Sequence, residues 1–207
     1  MDAERVLVLG ATGRTGQRAV WALLARGVAV RALVRDPARA EALLPPEVEL
    51  RAGSPLDAGV RVVVAHCASL GHAEELDAKV RSGQPSNFEL FTRLMDEPRW
   101  RANLFGDISA VVQANRVDVI PTLLTRRDWQ ARLLNGSDYP LPGVVPLIDL
   151  HGLVSRGLLD AALLDPLRML RQHNVLLFDF VLKRSLGLQG HRFAPQVFET
   201  APFFARL

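Results

Sequence analysis

The stretch RVLVLGATGRTG, residues 5–16, carries the pattern that decides the expected fold of the N-terminal part. Residues 6–9 are apolar and mostly β-branched, and the run is short enough for a buried strand of a parallel sheet. Glycine then recurs at every third position, and residues 17–26 have the apolar spacing of an amphipathic helix. Strand, glycine turn and helix follow one another in the order of a phosphate-binding turn.

Each glycine of this turn has its own predicted role. Gly10 permits the tight turn after the strand, and Gly13 lets a pyrophosphate approach the backbone. Gly16 allows the helix to pack closely on the strand. The free N–H groups at the start of the helix are available to phosphate oxygens. The turn is therefore predicted to bind a dinucleotide.

The residue after the second predicted strand, residues 28–34, bears on the choice of cofactor. An acidic residue at that position accepts the ribose 2′-hydroxyl of NAD, whereas an arginine pairs with the 2′-phosphate of NADP. Arg35 stands there, and Arg14 in the glycine turn is a second candidate partner for a phosphate. The sequence favours NADP over NAD. The alternative is that both arginines are solvated surface charges.

The spacing GxxGxxG in GATGRTG resembles the fingerprint of the extended and atypical short-chain dehydrogenase/reductase families, particularly the NmrA-like NAD(P)H-binding group. Classical members use a Tyr-x-x-x-Lys pair for proton transfer, and the only tyrosine here, Tyr139, is not part of one. The resemblance implies a reductase or a nucleotide sensor. Its implied cofactor-binding residues are Gly10, Thr12, Gly13, Arg14, Thr15, Gly16 and Arg35.

A short helix within residues 36–46 and a strand at 48–51 complete a β-α-β-α-β unit, the first half of a doubly wound sheet. The next apolar run, residues 61–65, follows too closely for a helical crossover, which needs a dozen or more residues in all. We therefore expect a change of architecture near residue 59. The predicted domains are a dinucleotide-binding half, 1–58, and a second module, 59–207.

The second module resembles the C-terminal part of a metal-dependent hydrolase of the amidohydrolase superfamily, a (β/α)₈ barrel. The segments that carry this resemblance are VVVAHCASLG at 62–71, NLFGDISAV at 103–111, RLLNGSDYPLPG at 132–143 and LLFDFVLKR at 176–184.

The first three of these segments are short apolar strands followed by His66, Asp107 and Asp138, and barrel active sites lie at such strand ends. The resemblance implies that His66 binds a divalent metal such as zinc or the substrate. It also implies that Asp138 binds the metal and, as the catalytic residue, takes a proton from the attacking water. No two of the five histidines are separated by one residue, so the paired histidine ligands of that superfamily are absent.

The expected fold class is α/β with a parallel sheet, in which a Rossmann-like half is followed by β/α units resembling the last part of a barrel. The predicted strands can continue into one sheet of up to six parallel strands with helices on both faces. The two parts can instead have separate cores.

Composition narrows the classes of partner. The formal net charge is +3 with a pI near 9.7, but the arginines are scattered among acidic residues with few aromatics, which argues against nucleic acid. No apolar run reaches membrane-spanning length and the N-terminus lacks a basic region, so we expect a cytoplasmic protein without membrane contact. The single cysteine excludes an internal disulfide. The apolar C-terminal helices, 158–170 and 175–186, can support a homo-oligomer.

The sequence thus leaves three functions open. The first is an NADP(H)-binding protein, either an NADP-dependent oxidoreductase with a small-molecule substrate or a nucleotide sensor, fused to a truncated hydrolase-like module. The second is a metal-dependent hydrolase that uses His66 and Asp138. The third is a fusion without function.

Overall fold

The computed structural model describes residues 5–53, 61–73 and 84–204. The chain forms two compact units, Met1–Val62 and Val63–Leu207. The predicted domain boundary between residues 58 and 59 lies outside the described residues.

The first unit contains a three-stranded parallel sheet. Its strands are β1 (Arg5–Leu9), β2 (Ala29–Val34) and β3 (Glu49–Ala52), in the order β1-β2-β3. Leu9 pairs with Leu33, and Val34 pairs with Ala52, so the carboxyl ends of the three strands meet at one edge. This is the strand order of the first half of a doubly wound sheet.

Helices α1 (Arg14–Leu24) and α2 (Pro37–Glu41) connect these strands and cover one face of the sheet. Alternate residues of β2 are buried on that face, where they form a core with side chains of both helices. On the opposite face Leu7 and Leu9 are 47% and 44% exposed. Both helices lie on the same face because both crossovers have the same hand and return over that face.

The second unit has a sheet of its own, with strands β4 (Val62–Val64), β5 (Leu104–Asp107) and β6 (Leu133–Leu134) in the order β4-β5-β6. Strands β5 and β6 are parallel. The expectation of one six-stranded sheet is wrong for the described strands, because β4 is assigned to the sheet of β5 and not to the free edge of β1. Three strands in open order do not form a barrel, so the barrel-like architecture finds no support in the described residues.

The helices of the second unit surround a core that contains Trp129, Phe91 and Phe178, all fully buried or nearly so. Its α-helices are α3 (Asn87–Asp96), α4 (Ile120–Thr125), α5 (Leu150–Ser155), α6 (Leu164–His173), α7 (Val175–Ser185) and α8 (Ala201–Phe204). Ala65–Ala68 form a tight turn with left-handed backbone. Short 3₁₀ helices occupy Pro98–Trp100, Val117–Val119, Arg127–Arg132, Leu141–Gly143, Val145–Leu147, Ala161–Leu163 and Pro195–Phe198. Among the described helices, none has the length and apolar character needed to cross a membrane.

Candidate functional site

The turn between β1 and α1 has the geometry that its glycines predict. Gly10 has a φ of +66°, a left-handed conformation that glycine adopts without steric cost. A Cβ atom on Gly16 would lie 2.1 Å from the carbonyl oxygen of Gly10, so no larger residue fits there without a shift of the backbone. The first glycine therefore permits the turn, and the third permits the close approach of α1.

Gly13 stands at the N-terminus of α1, where the backbone is extended, with φ −78° and ψ 160°. Its N–H donates to the carbonyl of Gly10 at 2.9 Å, and Gln17 Nε2 donates to the carbonyl of Thr12 at 2.9 Å. Within the described part of the chain no side chain caps α1, and the first turn of the helix carries no acidic residue. The positive end of an eleven-residue helix is thus left without an anionic partner from its own first turn.

Arg35 follows β2 at the same sheet edge as the glycine turn, as the register of β1 and β2 requires. Arg14 and Arg35 are both exposed, and neither has a hydrogen-bond or ion-pair partner among the residues that the structure describes. The side chain of Thr15 lies outside the described part of the chain. The remaining predicted cofactor-binding residues come together at one edge of the first unit.

Asp36 is the acidic residue nearest to this position, and it already has a structural role. Its Oδ1 accepts the N–H of Arg39 at 3.1 Å and caps α2. A carboxylate that caps a helix is held by that contact and is less free to accept a ribose hydroxyl. Of the two side chains that follow β2, the one without a partner among the described residues is therefore the positively charged Arg35.

A second polar cluster lies in the other unit, beyond β4 and β5. His66 Nδ1 and Ser109 Oγ are 2.6 Å apart, and the Ser109 N–H donates to Oδ1 of Asp107. Cys67 is buried and its Sγ donates to the Asp107 carbonyl at 3.2 Å. Burial, with a smaller contribution from the negative charge of Asp107, raises the pKa of the Cys67 thiol well above its usual value. Cys67 is therefore an anchor of this turn and not a reactive thiolate.

A buried ion pair lies beside this cluster. Lys183 Nζ donates to Asp179 Oδ2 and to the carbonyl of Gly136, each at 2.6 Å, and the two charged side chains are 0% and 1% exposed. Burial raises the pKa of Asp179 to about 6 against the opposing effect of Lys183, and burial lowers the pKa of Lys183. The negative charges of Asp107 and Asp138 also act on both groups.

The predicted metal ligands His66 and Asp138 do not form a metal site among the described residues, where no group of three or more His, Cys, Asp or Glu side chains converges. Asp138 has a φ of +54° and accepts a hydrogen bond from Gln113 Nε2 at 3.4 Å. The ammonium of Lys183 supplies positive charge that partly balances the carboxylates of Asp107, Asp138 and Asp179. His66 and Asp138 therefore do not fit as the ligands of a divalent cation. The catalytic role assigned to Asp138 stays a prediction.

Sequence reasoning missed two pairs in this cluster. Asp179 and Lys183 lie four residues apart in an otherwise apolar helix, a spacing that places them on one face and could have identified the ion pair. Ser109 and His66 are 43 residues apart, and no local pattern predicts their contact.

Residues 10–70 match the model of a protein family described as NAD(P)H-binding. The match begins at Gly10, covers the glycine turn, α1, β2, α2 and β3, and continues through β4 and the turn that contains His66. It supports an NAD(P)-binding, Rossmann-type N-terminal part and leaves the choice between NADP and NAD unresolved. The match ends at Leu70, so it lends no support to the resemblance to amidohydrolases. No curated protein matches the chain.

Proposed function

We propose that the N-terminal part of the chain binds NADP(H), with the pyrophosphate at the N-terminus of α1 and the 2′-phosphate at Arg35. The observation that carries this proposal is the start of α1, which has Gly13 at its N-cap and no capping side chain among the described residues. The absence of a side chain at Gly16 lets this end of the helix lie close to the turn after β1. Backbone N–H groups and the helix dipole at such a position favour an anion. The match of residues 10–70 to an NAD(P)H-binding family supports the same ligand class.

The preference for NADP over NAD rests on the two side chains that follow β2. Arg35 is exposed and has no partner among the described residues, whereas the carboxylate of Asp36 caps α2. A guanidinium pairs well with a phosphate and has no acceptor for a ribose hydroxyl. Arg14, also exposed, is the second proposed phosphate partner.

We infer that the protein uses the nucleotide either as a reductase or as a nucleotide sensor. The sequence has no Tyr-x-x-x-Lys pair to donate a proton, so reduction of a small-molecule substrate would need another donor. A sensor needs only binding. Loss of NADPH absorbance during incubation with carbonyl or imine compounds distinguishes the two uses, since a sensor binds the nucleotide without oxidising it.

Calorimetric titration of the full chain with NADPH and NADH tests the role of Arg35. Arg35→Ala is expected to weaken NADPH binding by about tenfold or more, the effect of one lost charge-assisted hydrogen bond, and to leave NADH binding unchanged. Arg26→Ala is the matched control, because Arg26 is also exposed but follows the other end of α1. Equal NADPH affinity in Arg35→Ala and the wild-type chain would contradict the proposed preference.

A further inference from the structure

The contact between His66 and Ser109 has the geometry of a nucleophile and its base. The distance of 2.6 Å between Nδ1 and Oγ lies within the range at which an imidazole can accept a hydroxyl proton. His66 belongs to the tight turn Ala65–Ala68 directly after β4, and Ser109 lies two residues after β5. The two strands are neighbours in the sheet, which brings their following residues together.

The backbone around His66 is held in an unfavourable conformation. His66, Cys67 and Ala68 have φ values of +55°, +49° and +52°, in the left-handed region that residues other than glycine rarely adopt. Such conformations persist only where surrounding contacts impose them, and they cluster at catalytic sites. The hydrogen bond from Cys67 Sγ to the Asp107 carbonyl is one such contact.

Ser109 is held from its other side. Its N–H donates to the Asp107 carboxylate, and the N–H of the preceding residue, Ile108, donates to the carbonyl of Leu134 at 2.9 Å. The hydroxyl is thus fixed by its own backbone and by the ring of His66. Orientation of both partners by the rigid part of a fold is what a nucleophilic pair requires.

We propose that Ser109 is a nucleophile activated by His66 and that the second unit cleaves small, uncharged acyl esters. Ser109 Oγ attacks the ester carbonyl carbon while its proton passes to His66 Nδ1 and the carbonyl electron pair moves to oxygen. Collapse of the tetrahedral adduct breaks the bond to the alcohol, which takes the proton from His66. Water then attacks the acyl-serine in the same way, releasing the carboxylic acid and restoring the Ser109 hydroxyl.

The charges around the pair determine the substrate class. Asp107, Asp138 and Asp179 lie near Lys183, which is already bonded to Asp179. Arg116 is a second cation nearby, and its Nη1 donates to Ser69 Oγ at 3.1 Å. The excess of carboxylates repels anionic groups such as phosphate esters. Ser109 is 4% exposed, so a small acyl group is favoured over a large one.

The test uses two small reagents on the full chain, p-nitrophenyl acetate and phenylmethylsulfonyl fluoride. Mass spectrometry of the treated wild-type protein is expected to place the acetyl or sulfonyl group on Ser109. Ser109→Ala is expected to abolish this modification and the release of nitrophenolate above the background rate. Ser155→Ala, an exposed serine of α5, is expected to leave both unchanged.

His66→Asn isolates the role of the base. Asparagine tolerates the left-handed conformation better than other non-glycine residues but does not take the proton, so the turn is retained while the acylation rate falls about 100-fold or more. An unmodified Ser109 in folded wild-type protein would overturn the proposal without reference to any variant. Acylation of Ser109 at the same rate in folded His66→Asn would overturn the role of His66.

Discussion

The carbonyl oxygen of Gly10 leaves no space for a side chain at residue 16. The Cβ of an alanine there would lie 2.1 Å from this oxygen and 2.8 Å from the Cα of Ala11. Both neighbours are backbone atoms of the turn, which cannot rotate away as a flexible side chain can. The glycine at this position is therefore required by the packing of α1 on the turn.

Gly16→Ala is expected to destabilise the first unit by about 1–3 kcal/mol, the usual cost of overpacking, although alanine favours a helix more than glycine does. Hydrogen exchange measured by mass spectrometry on peptides from β1 and β2 reports this loss in the full chain. Gly13→Ala is the control, since its Cβ would lie 3.3 Å from the same oxygen. Stronger protection of β1 and β2 in Gly16→Ala would show that helix propensity outweighs the clash.

The residues of the glycine turn were predictable because their requirements are local. A tight turn and a close approach within seven residues can be inferred from the spacing alone, and Gly10 and Gly16 have the predicted geometry. The partner of His66 was not predictable in this way. Ser109 is distant in sequence, and its contact depends on how β4 and β5 are placed in one sheet.

At the scale of elements, α7 is the least ordinary helix of the second unit, because it buries an ion pair in an apolar segment. Lys183 Nζ donates hydrogen bonds both to Asp179 Oδ2 and to the carbonyl oxygen of Gly136. Asp179 Oδ1 is buried without a hydrogen-bond partner in the described part of the chain, so the pair is incompletely compensated. Such pairs contribute little net stability but are costly to break.

Lys183→Met is expected to destabilise the second unit by about 3–5 kcal/mol, because it leaves Asp179 buried without its counter-ion. The double variant Asp179→Leu with Lys183→Met is expected to recover most of that loss, since leucine has the branching of aspartate and leaves no unpaired charge. Urea unfolding followed by tryptophan fluorescence in a Trp21→Phe background, which leaves Trp100 and buried Trp129 of the second unit as the reporters, measures both. A double variant no more stable than Lys183→Met would contradict this account of the pair.

The division into two sheets shows that the positions of strands and helices can be predicted from the sequence more readily than the pairing of the strands. The predicted strands and the first two helices lie near their observed positions, because alternation and helical spacing are local signals. Pairing between strands is not local. The apolar run at residues 61–65 suits the fourth strand of a doubly wound sheet, yet its strand shares a sheet with β5 and β6 and not with β1, β2 and β3.

At the scale of the whole molecule, the two compact units carry separate chemistry. The first has the glycine turn and most of the match to an NAD(P)H-binding family, which continues to residue 70 in the second unit. The second has the His66–Ser109 contact and the buried ion pair. The expected self-association through the C-terminal helices stays a prediction. Helices α6 and α7 expose the apolar side chains that such contacts would use, namely Met169, Leu176, Leu177 and Phe180.

The most direct test of the account is a calorimetric titration of the full chain with NADPH, made on the wild-type protein and on Gly13→Val. The backbone of Gly13 is extended, a conformation open to valine, and a Cβ there would lie 3.3 Å from the carbonyl oxygen of Gly10, a tight contact that a shift of a few tenths of an ångström relieves. The variant is therefore expected to fold while its side chain blocks the approach to the start of α1. Circular dichroism checks that both proteins are folded. We predict saturable binding of NADPH by the wild-type chain and its loss in Gly13→Val. No binding by the folded wild-type chain, or equal binding by the two proteins, would contradict the account.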